Sequence, residues 1–236
     1  MTDRPGRTAF AYTGVDNLET MAAAVNYNAF LAALVAVELK PGDDILDFGA
    51  GIGTFALQFA AAGHRVVCVE PDPGLRTRLS AAGMRSHAAL DAIAPNSLDV
   101  VYAIDVLEHI EDDLGTLRQL RDRLKPGGKL LVYVPAFNCL YSSMDRKVGH
   151  VRRYRRAGLA AALTKAGLRI ERIAYRDSLG FLASLAFKLV GSGDGTINER
   201  ALVAYDRWAF PLSRRLDRVT GRWFGKNLWA IARRPA

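Results

Sequence analysis

The segment that most constrains this chain is Asp47-Phe-Gly-Ala-Gly-Ile-Gly, because it sets a carboxylate and three glycines between an apolar run and a helix-forming one. Ile45, Leu46 and Phe48 predict a short buried strand, and Thr54-Phe-Ala-Leu-Gln-Phe-Ala-Ala-Ala predicts a helix. The glycines therefore fall in a strand-to-helix turn, where a backbone without Cβ atoms lets a ligand approach closely. A lone glycine turn can also be purely structural, so its meaning depends on the rest of the chain.

A dinucleotide turn uses G-x-G-x-x-G and receives a pyrophosphate at the helix N-terminus. Here the spacing is G-x-G-x-G followed by Thr54, and Asp47 would repel a pyrophosphate. A cationic nucleotide suits the turn better. S-adenosylmethionine offers an ammonium for Asp47 and a carboxylate for the loop N–H groups. Residues 65–70 predict a second strand ending in Glu70, 23 residues beyond Asp47, where a carboxylate can accept ribose hydroxyls. A helix over 73–82, a weak third strand over 83–89 and a fourth over 97–104 follow; the turn at 88–91 could flank an adenine. The fourth strand leads into Asp105-Val-Leu-Glu-His-Ile. A helix over 112–124 stops at Lys125-Pro-Gly-Gly, and 129–134 reads as a fifth strand. Strands separated by helices imply parallel pairing with ligands at the carboxyl ends, the edge that holds Asp47, Glu70 and Asp105.

At 236 residues the chain can bury a large core as one domain, and no apolar stretch reaches the length that spans a bilayer. The N-terminal residues lack the apolar run of a signal peptide, which suggests a cytoplasmic protein. Cys68 and Cys139 are too few for a disulfide framework and lack metal-ligand spacing, and the acids at 105–113 read as helix N-terminal groups, so no metal site is expected. The net charge of +8 permits an acidic partner, and its excess lies in residues 146–156 and 207–234.

Together, Asp47-Phe-Gly-Ala-Gly-Ile-Gly, Glu70 in Val-Cys-Val-Glu-Pro-Asp, Asp105-Val-Leu-Glu-His-Ile and Leu124-Lys-Pro-Gly-Gly-Lys-Leu resemble, in order, the class I S-adenosylmethionine-dependent methyltransferases. The resemblance covers about residues 26–176. It implies an α/β, Rossmann-like, seven-stranded and mostly parallel sheet with helices on both faces, a final antiparallel strand at 227–233 inserting beside the fifth, and a sixth at 168–175. It divides the chain into an N-terminal helical cap (1–40), a cofactor-binding core (41–176), a helical insertion between strands 6 and 7 (177–225) and the last strand (226–234). It further implies S-adenosylmethionine as cofactor and S-adenosylhomocysteine as product, held by Asp47, Gly49, Ala50, Gly51, Gly53, Glu70, Pro71, Asp105, Val106 and Tyr27. Tyr12 and Asn26-Tyr-Asn would fold over the cofactor.

Two long segments lie outside that scaffold and should choose the acceptor. Residues 136–156 carry Tyr141, Asp145, His150, Arg152, Arg153 and Tyr154. His150 is the first candidate for general base, since an imidazole exchanges protons near neutral pH. Asp145 and Tyr154 are further catalytic candidates, and Tyr141, Arg152, Arg153 and His109 are candidates for binding substrate, the arginines through bidentate contacts to an anion. The insertion holds an apolar stretch at 179–190, a glycine-rich break at 191–195, and a helical stretch at 199–219 interrupted at Pro211. Its apolar residues could pack on the sheet, on a second subunit as a homodimer, on an apolar substrate, or on an anionic membrane at the inner face. The expected reaction is methyl transfer to a hydroxyl or carboxyl oxygen of a small, apolar or lipid-like acceptor. The alternatives are RNA methylation, disfavoured by the absence of an appended RNA-binding module, and a noncatalytic cofactor-binding partner protein.

Overall fold

The computed structural model describes residues 14–190, 196 and 198–236, without the side chains of residues 189 and 190. Tyr12 and the glycine-rich break at 191–195 lie outside the described residues. Two helices, α1 (Val15–Ala22) and α2 (Val25–Ala36), precede β1 (Asp44–Phe48), α3 (Thr54–Ala61), β2 (Arg65–Val69), α4 (Pro73–Ala81) and β3 (Arg85–His87). Then come β4 (Leu98–Ile104), α5 (Asp113–Arg123), β5 (Leu124–Pro135), α6 (Ser143–Val148), α7 (Arg156–Lys165) and β6 (Arg169–Arg176). The insertion forms α8 (Ser178–Val190), α9 (Glu199–Ala204), a π-helical turn (Tyr205–Ala209) and α10 (Phe210–Thr220), and β7 (Asn227–Arg233) closes the chain.

The strands form one sheet in the order β3-β2-β1-β4-β5-β7-β6, parallel except for β7, which runs antiparallel to both β5 and β6. Apolar alternation buries both faces. Leu46, Val101, Leu130 and Val132 point into one cluster, completed by Leu117 and Leu120 of α5 and Leu159 and Leu163 of α7. Ile45, Val100, Tyr102, Leu131, Tyr133 and Trp229 point into the other, against Phe30, Leu31 and Val35 of α2 and Phe210 of α10. Each fully buried aliphatic side chain contributes about 1.5–3 kcal/mol, which explains why near-continuous apolar runs become the central strands.

The strand order reverses between β1 and β4, so their carboxyl ends open a crevice. Three residues that end strands at this edge have positive φ without being glycine: Asp105 after β4 (53°), Phe137 after β5 (60°) and Asp177 after β6 (63°). For a bulky aromatic such as Phe137 that conformation is strained, and such strain concentrates at functional edges.

Three elements depart from the sequence expectation. β5 begins at Leu124, because Pro126-Gly-Gly forms an irregularity inside the strand: Leu124 pairs with Leu98, and the register shifts before Lys129 meets Val100. β3 shrinks to three residues paired only with β2. The helix at 199–219 breaks into α9, the π turn and α10, with Pro211 in the first turn of α10, where its missing N–H is tolerated. No single helix among the described residues is long and apolar enough to cross a membrane.

Candidate active site

The turn after β1 is a cradle in which Gly49 and Gly53 leave no room for a Cβ. Gly49, Gly51 and Gly53 have φ of 79°, 55° and 85°. A Cβ on Gly49 would stand 2.4 Å from Cγ2 of Val106, so this glycine allows the turns after β1 and β4 to meet. Helix α1 lies against the turn: Leu18 Cδ1 lies 3.6 Å from where a Cβ on Gly51 would sit, and Glu19 pairs with Arg78 of α4 at 2.8 Å.

The groups of this turn also bond one another. Glu70, assigned to ribose hydroxyls, is buried and accepts the N–H groups of Gly51 (2.8 Å) and Asp72 (2.9 Å), so its oxygens brace the turn and keep their second lone pairs for a ligand. The loop N–H groups expected to hold a ligand carboxylate are also largely used: Gly49 and Ala50 donate to the Val69 carbonyl and Gly53 to that of Ala50. Pro71 is exposed beside Glu70 and leads into α4, whose N-cap is Asp72.

Asp47 is where the cradle asks for a ligand. Its side chain is buried, and Oδ2 has no hydrogen-bond partner. Burial pushes its pKa up to about 7, with the Glu70 charge adding to the rise and the Tyr102 hydroxyl and Ala56 N–H opposing it. A buried carboxylate with an unsatisfied oxygen is complementary to a cation. The glycine cradle and this carboxylate together fit a nucleotide that carries an ammonium.

Across the crevice, Asp105 is open to solvent yet surrounded by protein mass, as expected for the wall of a cleft. Desolvation raises its pKa to about 6, and His150, Lys226 and Arg153 restrain the rise. Three residues on, Glu108 is fully buried and neither carboxylate oxygen has a hydrogen bond. Burial, then the Asp105 charge, raise its pKa well above the ordinary value, which favours its protonated form. It is thus not the solvated helix N-terminal acid expected from sequence.

The long loop after β5 delivers His150 to this cluster. Its Nδ1 lies 2.7 Å from Oδ1 of Asp145, and its Nε2 is 3.8 Å from Oε1 of Glu108. Asp145 is fully buried and accepts a bidentate pair from Arg153 (Nε 2.8 Å, Nη2 3.0 Å) and the Ser142 N–H (2.8 Å). Burial works to raise the Asp145 pKa, but His150, Arg153 and Ser142 outweigh it and hold the carboxyl well below its usual range. An ionised Asp145 only accepts hydrogen bonds, so it fixes the imidazole with hydrogen on Nδ1 and leaves Nε2 facing the cluster.

The other loop candidates turn away from the crevice. Arg153, proposed to grip a substrate anion, spends its fork on Asp145, and Asp145 itself, sealed and ionised, is a positioning residue and not a base. Arg152 pairs with Asp113 (2.9 Å) and donates to the Glu111 carbonyl, while the buried Tyr154 donates to Asp113 at 2.7 Å; both fasten the loop to the start of α5. Burial and the hydrogen bond to Asp113 raise the Tyr154 pKa far beyond physiological range, which removes it as a base. The Tyr141 hydroxyl donates to the His150 carbonyl at 2.6 Å. Tyr27 is buried, and its hydroxyl is shared with Tyr133 (3.3 Å) and Asn227 (3.2 Å). His109 bonds the carbonyls of Val148 and Gly149 and packs edge-on to His150 at 4.6 Å; burial, then His150, lower its pKa to about 4, so it braces the loop as a neutral ring.

Glu108, His109 and His150 each bring one ligand atom within 4.8 Å of the others, a spacing able to hold a divalent cation. Sequence reasoning had no route to that grouping, because two members come from the turn after β4 and one from a loop 41 residues away. It also missed Lys226, which faces Asp105 from the start of β7. A third omission is an aromatic wall: Phe137 stacks on Tyr175 at 4.8 Å, and Phe181 meets both Phe137 (5.4 Å) and Phe224 (5.6 Å). The one available signal was the density of aromatics flanking strand ends.

Comparison with known proteins agrees with this geometry. The methyltransferase-domain family model matches residues 19–173. A ubiquinone biosynthesis O-methyltransferase of Xanthomonas campestris is 31% identical over 113 residues, 44% of this chain and 46% of that protein. A tRNA U34 carboxymethyltransferase of Chromohalobacter salexigens is 32% identical over 114 residues, 42% of this chain and 34% of that protein. The chain thus matches less than half the length of either. Among solved structures, geranyl diphosphate C-methyltransferase from Streptomyces coelicolor, in complex with Mg2+, geranyl diphosphate and S-adenosylhomocysteine, shares the fold with a TM-score of 0.64 and 15% identity, covering 87% of this chain and 79% of that one. With the seven-stranded sheet, the glycine cradle and this family match together, the chain belongs to the methyltransferase-domain family, within the class I S-adenosylmethionine-dependent methyltransferases.

Proposed function

We propose that this enzyme transfers a methyl group to an oxygen of a small apolar acceptor, with His150 receiving the acceptor's proton. The observation that carries the reading is the His150–Asp145 pair at 2.7 Å, fixed by the Arg153 fork, at the crevice edge that also holds Asp105 and Glu108. When bound, S-adenosylmethionine supplies an electrophilic sulfonium methyl. Asp47 would hold its ammonium as an ionised carboxylate, and the cradle of Gly49, Gly51 and Gly53 would lie along its backbone-facing side.

The protein's own work is orientation and proton handling. Nε2 of His150 accepts the hydroxyl proton as the acceptor oxygen becomes nucleophilic, and the Asp145 carboxylate stabilises the resulting imidazolium. Arg153 balances Asp145, so the pair is not an uncompensated buried charge. Burial of Glu108, 3.8 Å from Nε2, favours its protonated form and so limits competing negative charge. The Phe137, Phe181 and Phe224 wall excludes water and favours a flat or isoprenoid-like acceptor, and reacting groups aligned in a dry site gain most of their rate from positioning. The O-methyltransferase relative, the geranyl diphosphate bound by the structural neighbour and the apolar wall support the same class of acceptor.

Label transfer from methyl-tritiated S-adenosylmethionine to a panel of phenols, isoprenoid alcohols, fatty acids and transcribed tRNA tests this reading. The expected product is an organic-soluble methyl ether or ester alongside S-adenosylhomocysteine. Label confined to tRNA would replace it with RNA methylation; the second relative, a tRNA U34 carboxymethyltransferase, also acts on tRNA.

A further inference from the structure

Helix α10 is built inside out. Its buried side carries Asp206 in the preceding π turn, then Ser213 and Asp217, alongside Phe210. Its solvent side carries Trp208 (73% exposed), Leu212, Leu216 and Val219, and the stripe runs on to Trp223 (63% exposed) just past its end. Spacings of three and four residues put these side chains on one face.

The polar inner face has a structural purpose. Asp206 accepts the N–H groups of Asn26 (2.9 Å) and Tyr27 (2.8 Å) and so caps α2. Asp217 accepts those of Asp177 (2.7 Å) and Ser178 (2.9 Å) at the start of α8, and Ser213 accepts from Leu179 (3.0 Å). The outward apolar stripe is not needed for any of this, and in water it is a net cost to the isolated chain.

Arginines surround the stripe. Arg207 lies over the Trp208 ring at 5.2 Å and Arg222 over the Trp223 ring at 5.5 Å. Arg214, Arg215 and Arg218 join Arg176 in lining a cavity of about 440 Å³ between α2 and α10. Its only acid is Asp217, whose carboxylate is already taken by the N–H groups of Asp177 and Ser178. Among the described residues, none of Arg207, Arg214, Arg215, Arg218 and Arg222 forms an ion pair.

We infer that this face docks the enzyme on an anionic phospholipid surface, with the Trp208-to-Trp223 stripe immersed at the headgroup boundary and the arginine-lined cavity receiving lipid phosphates. Within α10 the stripe rises roughly 10 Å from Leu212 to Val219 at 1.5 Å per residue, Trp208 and Trp223 extend it at the two ends, and it lies in the membrane plane. Tryptophans at both ends and cations along one side are the chemistry of an interface with an apolar and a negatively charged layer. Docking of a second copy would press unpaired guanidinium groups together. RNA would answer the charge but leave Leu212, Leu216 and Val219 in water. The inference stands on α10, the turns that flank it and the cavity beside it, and does not depend on the acceptor.

The test is flotation of the full chain with vesicles of phosphatidylcholine, or of phosphatidylcholine mixed with phosphatidylglycerol, with brominated lipid to quench tryptophan. Co-flotation only with the mixed vesicles, accompanied by quenching, is expected; Trp229 is buried, so quenching reports Trp208 and Trp223. The double variant W208S/W223S should melt as the wild type does and lose quenching. The triple variant R214Q/R215Q/R218Q should bind about 100-fold more weakly, at roughly fivefold per arginine. Equal binding to neutral vesicles, flotation without quenching, loss of vesicle binding to competing RNA, or a dimer that W208S/W223S dissociates would each overturn the proposal.

Discussion

Asp47→Asn separates what this side chain costs the fold from what it contributes to binding. Folding raises the Asp47 pKa from 3.8 to about 7, chiefly through burial. A raised acid pKa means the folded state holds a proton that the unfolded state releases, so stability falls as pH climbs from near 4 to near 7 and then levels off. At 1.36 kcal/mol per unit, the full penalty is about 4 kcal/mol near pH 8 and about 1.5 kcal/mol near pH 5. Asparagine removes the charge but leaves its amide short of partners at a cost of about 1–3 kcal/mol. The cofactor-free variant should therefore be more stable than wild type by about 2 kcal/mol near pH 8, some 4–8 °C in melting temperature, with the gain vanishing or reversing near pH 5. Binding should move the other way: cofactor affinity of the wild type rises with pH up to about 7, because the ammonium favours ionised Asp47, and the variant loses both the affinity and that slope. Thermal melts at the two pH values and calorimetric titration with S-adenosylmethionine read both effects. A variant equally destabilised at both pH values, or binding as tightly as wild type, refutes the assignment.

Three other perturbations probe the cradle, the insertion and the histidine cluster. Gly49→Ala places a methyl group 2.4 Å from Val106 at a φ of 79°, so it should cost about 2–4 kcal/mol of stability and abolish measurable cofactor binding by calorimetry. Asp217→Ala uncaps α8 and should lower stability by about 1–2 kcal/mol, seen as faster proteolysis within residues 177–225, while Arg215→Ala leaves it unchanged. Chelation should leave turnover intact if Nε2 of His150 handles a proton; loss restored by Mg2+ or Zn2+ would assign Glu108, His109 and His150 to a cation instead.

Much of the scaffold was legible in the sequence because its signals are local. The apolar run, the glycine turn and the strand-end acid at Glu70 each report a neighbourhood of a few residues, and β7 is found at Asn227–Arg233, as expected. What sequence could not supply was the direction of side chains in the loop after β5. Asp145, His150, Arg152, Arg153 and Tyr154 read as one dense cluster, yet the backbone splits them: His150 turns to the crevice, Arg153 to Asp145, and Arg152 and Tyr154 to Asp113 on α5. Glu108 was misjudged for a related reason, since three acids follow it within five residues and only the fold shows that Glu108 alone of these is fully buried. The insertion's apolar residues were visible, but their outward direction on α10 depends on Asp206 and Asp217 reaching helices distant in sequence.

Single-turnover methyl transfer by His150→Gln, measured beside its affinity for S-adenosylmethionine, bears most directly on how this site works. The side-chain partners of His150 are Asp145, Glu108 and His109 and not the glycine cradle or Asp47, so the variant should bind the cofactor with wild-type affinity. It should transfer the methyl group about 10²–10⁴ times more slowly to a hydroxyl acceptor, the range for loss of a positioned proton acceptor. Wild-type transfer rates with intact cofactor binding would contradict it, since the Asp145–Arg153 assembly would then be orienting an imidazole that takes no part in the reaction.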